Sequence, residues 1–358
     1  MNPLSVIQQF YVRGVPSETI PFGNGHIHDT YKVLNDDPES PDYILQKVNH
    51  EVFPSIAEVM QNIERVTSHL RQKESFKETT LRVVPTVDEQ LFYTNGNEYW
   101  RVFEFVNGGR SYEKASTPDI AFEAARTYGA FLAALSDFSV DQLHVTIPDF
   151  HNMMFRVSEF EKALSEASDQ RKEQAFGQIE YVKKVAGEMC ELYDTSIAND
   201  LPLRVTHGDT KFNNVLFNAK GEGLCVIDLD TVMPGYLYFD IGDGVRTGVV
   251  SAEEDEVDLQ KVQADITAYK AYVSGYIDAT KHILSPLEYS YIPKAGPYMA
   301  FIMGIRFLTD YLAGDVYYKT RYQEHNLHRA RCQFYVCDLL KECEPAIKEL
   351  VEKREDSI

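Results

Sequence analysis

The chain lacks several features that would assign it to a specialised class. Its five cysteines, Cys190, Cys225, Cys332, Cys337 and Cys343, are odd in number and contain no Cys-x-x-Cys pair. That excludes a disulfide framework and a structural zinc site. Three of them fall in one C-terminal stretch of helical periodicity, where thiols pack as small apolar groups. No run of about eighteen uninterrupted apolar residues occurs, so no membrane-spanning helix is expected. Met1-Asn2-Pro3-Leu4-Ser5 lacks a basic region followed by an apolar one, and the expectation is a soluble, cytoplasmic protein without a membrane partner. Basic residues are scarce: 35 Lys and Arg against 55 Asp and Glu leave a formal charge of −20. Such a balance argues against nucleic acid as a partner, because phosphate backbones reward clustered cations. It does not argue against a nucleotide, which arrives with magnesium and meets the local field. Internal repeats and low-complexity tracts are also missing.

With 358 residues, 44% of them hydrophobic, the chain exceeds one typical core and suggests two lobes. The first hundred residues are rich in strand signals. Glu18–Phe22 leads into the turn Gly23-Asn24-Gly25, and Asp29–Leu34 and Asp42–Val48 read as the next strands. A helix is expected to start at Pro54, with Ile56, Val59, Met60, Ile63, Val66 and Leu70 at helical spacing. Leu91–Thr94 and Tyr99–Phe105 flank Asn95-Gly96-Asn97, a hairpin signal. Asn107-Gly108-Gly109 then offers a flexible boundary. Beyond it the chain reads as mostly helical, starting at Thr117-Pro118-Asp119 and continuing over about 155–196, 254–276, 286–313 and 323–354. The acidic run Glu253–Asp258 is expected to be the solvated first turn of a helix, where carboxylates complement the helix dipole. The expected class is α+β, with a β-rich lobe over 1–107 and a mainly helical lobe over 108–358.

The polar residues between Thr206 and Asp243 carry the chemistry. Leu201–Val205 is short, branched and contains a proline, so it reads as a strand entering a loop. Gly208 permits a tight turn that sends Asp209 outward. Val215-Leu216-Phe217 and Leu224-Cys225-Val226-Ile227 read as strands joined by the turn Asn218–Gly223, which sets Asn214 beside Asp228 at one end of a hairpin. An Asp followed five residues later by an Asn, then by an Asp closing an apolar run, suits magnesium-nucleotide chemistry. The first carboxylate can take a hydroxyl proton, and the other two side chains offer oxygen to a hard cation.

The run His207-Gly208-Asp209-Thr210-Lys211-Phe212-Asn213-Asn214 and the later Ile227-Asp228-Leu229-Asp230 resemble the catalytic loop and metal-binding segment of the aminoglycoside phosphotransferase-like kinases. Other stretches resemble the members of that family that phosphorylate the anomeric hydroxyl of N-acetylhexosamines. These are Pro21–Ile27, Tyr43–Gln46, Leu203–His207, Ile227–Gly235, Arg306–Leu308 and Tyr322–Asn326, so the likeness runs from near residue 20 to near residue 330. The resemblance implies a protein-kinase-like two-lobed fold, ATP and Mg2+ as cofactors, and an amino sugar as the small-molecule partner. It implies Asp209 as catalytic base, Asn214 and Asp228 as metal ligands, and Asp230 as a residue that braces the first ion or holds a second. Asp243, after Phe239-Asp240-Ile241-Gly242, would brace the catalytic loop.

On the nucleotide side, Gly23, Asn24 and Gly25 would cover the phosphates, or would form an ordinary hairpin turn. Glu104 and Val106 would present backbone groups to adenine. The strand lysine that grips phosphates in kinases falls on Gln46 or Lys47 according to register, and these point to opposite faces. Lys47 would serve if it faces inward, with Glu64 as its helix partner. For the acceptor the resemblance nominates His26, Asp209, Arg306 and Tyr317, since guanidinium and carboxylate groups bind sugar hydroxyls and a ring packs on the apolar face. His26 could instead cap a turn, and Arg306 could make an internal ion pair. Thr247 stands where the sugar kinases carry an aromatic. Three alternatives remain: a kinase of another small alcohol (an aminoglycoside, choline or another sugar), a nucleotide-binding pseudokinase, and a haloacid dehalogenase-like phosphatase built on Asp228-Leu229-Asp230-Thr231-Val232.

Overall fold

The computed structural model describes residues 2–23 and 27–355. A short helix α1 (Pro3–Val6) precedes a six-stranded antiparallel sheet: β1 (Pro16–Pro21), β2 (Asp29–Asn35), β3 (Tyr43–Val48), β4 (Val83–Val84), β5 (Tyr93–Thr94) and β6 (Tyr99–Glu104). The strand order is β1-β2-β3-β6-β4, with β5 also on β6. Asn95 closes the β5–β6 turn by accepting from the N–H groups of Asn97 and Glu98 at 3.0 and 2.9 Å. Helix α2 (Ile56–Arg71) starts two residues after the expected proline and buries the six apolar side chains whose spacing foretold it.

Side chains alternate between the faces of a strand, and register therefore decides which residues meet the rest of the protein. Tyr43, Leu45, Trp100 and Val102 form one face and pack with Val6, Ile7 and Phe10 in a small outer core. Val48 and Phe103 lie on the other face and join the main core with α2. Gln46 is paired with Arg101 and Lys47 with Trp100, so Gln46 shares the inner face and Lys47 the outer one.

The rest is mainly helical. Helix α3 (Pro118–Ala134) is capped by Thr117, as its sequence indicates. The expected single helix over 155–196 is three: α4 (Met153–Glu166), α5 (Asp169–Gln174) and α6 (Phe176–Ala198). Ala167 is extended and Ser168 caps Arg171, which stops one helix and starts another. Strands β7 (Arg204–Thr206), β8 (Val215–Phe217), β9 (Gly223–Val226) and β10 (Met233–Gly235) form two small antiparallel pairs, β7 with β10 and β8 with β9. Four helices complete the chain: α7 (Leu237–Gly248), α8 (Ile266–Thr280), α9 (Pro286–Ala313) and α10 (His325–Glu355).

The helix expected from 254 begins only at Ile266, where Asp265 caps the N–H groups of Thr267 and Ala268. The acidic run before it is not a first turn. Its carboxylates meet basic side chains instead: Glu253 with Lys114 at 3.1 Å, Glu254 with Arg246 at 2.8 Å and Asp255 with the His325 ring at 2.9 Å. Among the described residues no helix is long and apolar enough to cross a membrane. The five thiols are free, and Cys225, Cys332 and Cys337 are buried.

Helix α7 runs through the centre of the helical lobe, and all of its residues but Thr247 are buried. It crosses α9 so closely that a Cβ at Gly242 would lie 2.1 Å from the Ala295 carbonyl oxygen. Gly242→Ala should therefore cost about 1–3 kcal/mol, the range of overpacked cores. Urea unfolding monitored by circular dichroism measures this, and an unchanged midpoint would mean that the two helices are free to separate.

Candidate active site

The loop after β7 is held from three sides. Gly208 has φ +79°, and a Cβ there would sit 2.8 Å from the Thr231 carbonyl oxygen, so the turn requires glycine. The Asp240 carboxylate, on α7, accepts from the backbone N–H groups of His207 and Gly208, both at 2.8 Å. Thr231 donates its hydroxyl to the His207 carbonyl at 2.6 Å. The His207 ring, fully buried, spans the gap to the next strand: Nε2 is 2.9 Å from the Ile227 carbonyl, and Nδ1 accepts from Asp209 N–H at 3.2 Å. Asp240 is thus the brace of the loop. Asp243, expected in that role, pairs with Arg246 at 2.8 Å.

Asp209 emerges from this frame with its side chain partly exposed and a Lys211 Nζ contact of 2.9 Å. Burial pushes its carboxyl up, but the Lys211 ammonium and its hydrogen bond outweigh that, and the group is held below the usual carboxylate range. Asp209 is therefore ionised at neutral pH.

The β8–β9 hairpin pairs Val215 with Val226, and Ile227 N–H donates to the Asn214 carbonyl at 2.9 Å. This sets Asn214 beside Asp228, as the turn spacing led us to expect. Asn214 donates Nδ2 to the Asp209 carbonyl at 2.9 Å, which leaves its Oδ1 for a cation. Asp228 adopts φ +59°, and the residue is exposed. Desolvation, followed by the nearby Asp230 and Asp209 charges, pushes Asp228 up to about 6. Among the described residues no group of three or more His, Cys, Asp or Glu side chains could hold a metal ion. Two hard oxygens, one of them on a carboxylate that no cation among the described residues pairs with, nonetheless fit magnesium, which takes one or two protein ligands and completes its shell with water and phosphate.

The inner face of the sheet brings an unanticipated cation. Arg101 is 2% exposed and reaches both oxygens of Asp230, its Nη2 at 2.9 Å from Oδ2. Its Nε donates to Gln46 Oε1 at 2.9 Å. The assignment of Lys47 to the phosphates is corrected. Lys47 lies on the outer face and pairs with Glu98 at 2.8 Å, because its partner across the strands is Trp100 and not Arg101. Glu64 is likewise engaged away from the sheet, with Arg71 at 3.2 Å. Arg101 had one signal in the sequence: a charge at the centre of the apolar strand Tyr99-Trp100-Arg101-Val102-Phe103, where burial demands a partner.

Gly23 has φ +78°, as a tight turn requires, and Asn24, Gly25 and His26 lie outside the described residues. At the end of β6, Glu104 N–H donates to the Arg82 carbonyl at 3.0 Å and Phe105 N–H to the Asp42 carbonyl at 2.9 Å. Arg306 is sandwiched between the Phe150 and Tyr318 rings, its Cζ 5.0 and 5.8 Å from their centroids. No carboxylate among the described residues pairs with it; its hydrogen bond goes to Met303 Sδ at 3.3 Å. His151, stacked on Phe150, feels the charges of Arg306, Arg156, Arg246 and Asp209. Burial is the first cause holding His151 well below its ordinary value, and the arginines add to it.

Tyr317 is 60% exposed and packs edge-on against Tyr318. The loop carrying both is shaped by Asp310, whose carboxylate accepts from the N–H groups of Val316, Tyr317 and Tyr318 at 2.8–2.9 Å. Thr247 lines a cleft with Lys211, Asn213 and Arg246. After Asp230 the one further strand among the described residues, β10, is antiparallel to β7. The parallel sheet that a phosphatase built on Asp228 requires is therefore absent there.

The sequence matches the phosphotransferase enzyme family APH over residues 18–274. An aminoglycoside phosphotransferase from Alicyclobacillus acidocaldarius is 14% identical with a TM-score of 0.63, over 99% of this chain and 97% of that one. An amicoumacin kinase solved with AMP-PNP and Ca2+ is 13% identical with a TM-score of 0.61, over 94% and 92%. A choline kinase from Cryptosporidium parvum is 12% identical with a TM-score of 0.56, over 99% and 98%. At these identities the likeness establishes the fold, which is the kinase-like two-lobed arrangement expected above.

A divalent cation needs the Asp228 carboxylate ionised, and protons compete for it below its pKa of about 6. Affinity for Mn2+ should be level above that pH and fall about tenfold per unit below it. Titration calorimetry at several pH values reads the slope, and equal affinity at pH 5 and 8 would remove Asp228 as a ligand.

Proposed function

Because the chain belongs to the APH phosphotransferase enzyme family, we propose that it transfers the γ-phosphoryl group of ATP to the anomeric hydroxyl of an N-acetylhexosamine, yielding a sugar 1-phosphate and ADP. The observation that supports this reading is the grouping of Asp209, Asn214 and Asp228: Asn214 Nδ2 lies 3.3 Å from the Asp209 carboxylate, the Asn214 carbonyl accepts from the N–H of Ile227, the residue before Asp228, and Asp209 is held ionised.

Residues 1–107 form the nucleotide side in this reading and 108–358 the catalytic and acceptor side, joined at Asn107-Gly108-Gly109. Backbone groups alternate in direction along an extended segment. The Glu104 carbonyl and Val106 N–H therefore point away from the Phe105 N–H, toward an adenine edge. Gly23 begins the turn that covers the phosphates. Asn214 Oδ1 and Asp228 hold magnesium, which when bound neutralises charge on the phosphates.

Asp209 accepts a hydrogen bond from the acceptor hydroxyl and fixes its direction of attack. As the acceptor oxygen bonds to the γ-phosphorus and the bond to the bridging oxygen breaks, the hydroxyl proton passes to Asp209. Most of the acceleration comes from alignment and electrostatics, since the transferring group needs little covalent help. Lys211, 2.9 Å from the base, keeps it ionised until the proton moves.

Arg306 favours a sugar over a cationic alcohol such as an aminoglycoside or choline. A guanidinium held between two rings and lacking a carboxylate partner among the described residues binds neutral hydroxyl and carbonyl oxygens and repels ammonium groups. The neighbouring Tyr318 hydroxyl is buried without a hydrogen-bond partner among the described residues and offers a second polar contact.

Incubation of a panel of free sugars and amino alcohols with ATP and Mg2+, scored by phosphorus NMR, tests the acceptor; phosphorylation of choline and not of N-acetylhexosamines would overturn this reading. Asp209→Asn should lower kcat by about 10²–10⁴-fold and leave nucleotide binding intact, and retained turnover would exclude the base assignment. Arg306→Met should raise the acceptor KM by about tenfold, the cost of one charge-assisted hydrogen bond, with the ATP KM unchanged. Equal changes in both constants would place Arg306 outside the acceptor site.

A further inference from the structure

Asp230 lies two residues beyond a proposed metal ligand, yet it is 4% exposed and fully engaged with protein groups. Arg101 reaches both of its oxygens, with Met60 Sδ 3.8 Å from the guanidinium. The Arg101 Nε is spent on Gln46, whose amide donates onward to Thr30 Oγ1 at 3.1 Å. From the other side, His28 Nε2 sits 2.5 Å from Asp230 Oδ2. His28 Nδ1 accepts from Asn49 N–H at 3.1 Å, which assigns the ring proton to Nε2 and makes it the donor to Asp230.

Three segments therefore end on one carboxylate. His28 stands in the connection from the β1 glycine turn to β2, Arg101 and Gln46 belong to the inner face of the sheet, and Asp230 lies in the turn that begins at Asp228. Asp228 itself is in the left-handed region, at φ +59° and ψ +61°. Asp is among the residues that adopt this region readily, and the clamp on Asp230 two positions later limits how far the segment that carries Asp228 can move.

We propose that Arg101, Gln46 and His28 act through Asp230 as an interlobe latch that fixes the proposed metal-binding segment against the inner face of the sheet and the start of β2. Arg101 lies on β6 beside Gln46, the inner-facing residue of the pair where a kinase strand lysine is expected, and its Nε, Nη1 and Nη2 each donate to Gln46 or Asp230. It is a positioning residue, and Asp230 is its anchor rather than a ligand for a second ion. What the latch positions rests on the phosphotransferase reading above; the latch itself is measured without turnover.

The test uses the full chain with Asp230→Asn and Arg101→Gln, singly and together. Hydrogen exchange of the ligand-free protein is followed over residues 27–35 and 226–232, and binding of a fluorescent ADP analogue is followed with and without Mg2+. Each single variant should raise exchange in both segments together and weaken Mg2+-dependent binding by about 10–100-fold, the usual effect of removing a group that orients a ligand. Metal-free binding should stay within about twofold, and the double variant should be no worse than either single one, because the residues act as a unit.

Loss of metal-free binding in Arg101→Gln with full retention in Asp230→Asn would overturn the latch, since Arg101 would then grip phosphate directly. Exchange rising in one segment alone would overturn it too. Should the single variants fail to fold through an unpaired buried charge, Arg101→Met combined with Asp230→Leu removes both charges, and wild-type Mg2+ dependence in that protein would sink the proposal. His28→Asn removes one neutral arm and should shift the same readouts in the same direction; no shift there counts against the latch. If the latch variants behave as expected and the wild-type protein phosphorylates none of the alcohols offered, the proposed function fails and the latch stands.

Discussion

A single buried carboxylate, Asp230, holds the site together. It is contacted from the β-rich lobe by Arg101 and by His28, and it belongs to the segment that carries Asp228. Burying such charges is costly, and the attraction between them compensates only when geometry and hydrogen bonding are complete. Here they are complete: both carboxylate oxygens, the guanidinium and the imidazole all have partners. Removing one member of a buried pair typically costs about 3–5 kcal/mol, because the other charge is left stranded. The cluster is thus a strong constraint on how the sheet sits above the helical lobe. It also holds Asp230 well below the ordinary carboxylate range, burial being outweighed by Arg101 and by the His28 hydrogen bond. Asp228, two residues away and without a cation of its own, moves the other way.

The same division of labour recurs in the catalytic loop. Asp240 is buried and spent on two backbone N–H groups, His207 is buried and spans two elements, and Asp209, the proposed base, is left partly exposed. Helix α7 delivers Asp240 from the most buried part of the lobe, and its close crossing with α9 at Gly242 keeps the brace from drifting. Chemistry that depends on alignment needs such rigidity more than it needs reactive groups. On the proposed acceptor side, Asp310 organises the loop of Tyr317 and Tyr318 in the same way, by accepting three consecutive N–H groups.

The overall charge of −20 is a poor guide to any of this. Around the site the carboxylates are matched by Arg101, Lys211 and Arg246, and Arg306 adds an uncompensated positive charge beside the aromatic rings. Local fields decide what binds, and the surplus acid is spread over exposed positions.

Much of this was legible in the residues. Strand alternation, the Asn95-Gly96-Asn97 turn and the α2 periodicity are local signals, and they foretold the sheet and its helix to within a few residues. The pairing of Asn214 with Asp228 followed from a short hairpin, in which sequence distance and spatial distance are nearly the same thing. Helix boundaries failed where a local cap interrupted a long apolar pattern, at Ser168 and at Asp265.

The sequence by itself determined the two-lobed class, the order of the catalytic residues and the hairpin that joins the proposed metal ligands, because each depends on neighbours within about twenty positions. Only the tertiary structure decided that Gln46 and not Lys47 looks inward, that Asp240 and not Asp243 braces the loop, and that Arg101 meets Asp230. Those outcomes depend on strand register and on contacts between residues 32 to 129 positions apart, where a one-residue shift exchanges the faces of a strand and no local preference distinguishes the alternatives.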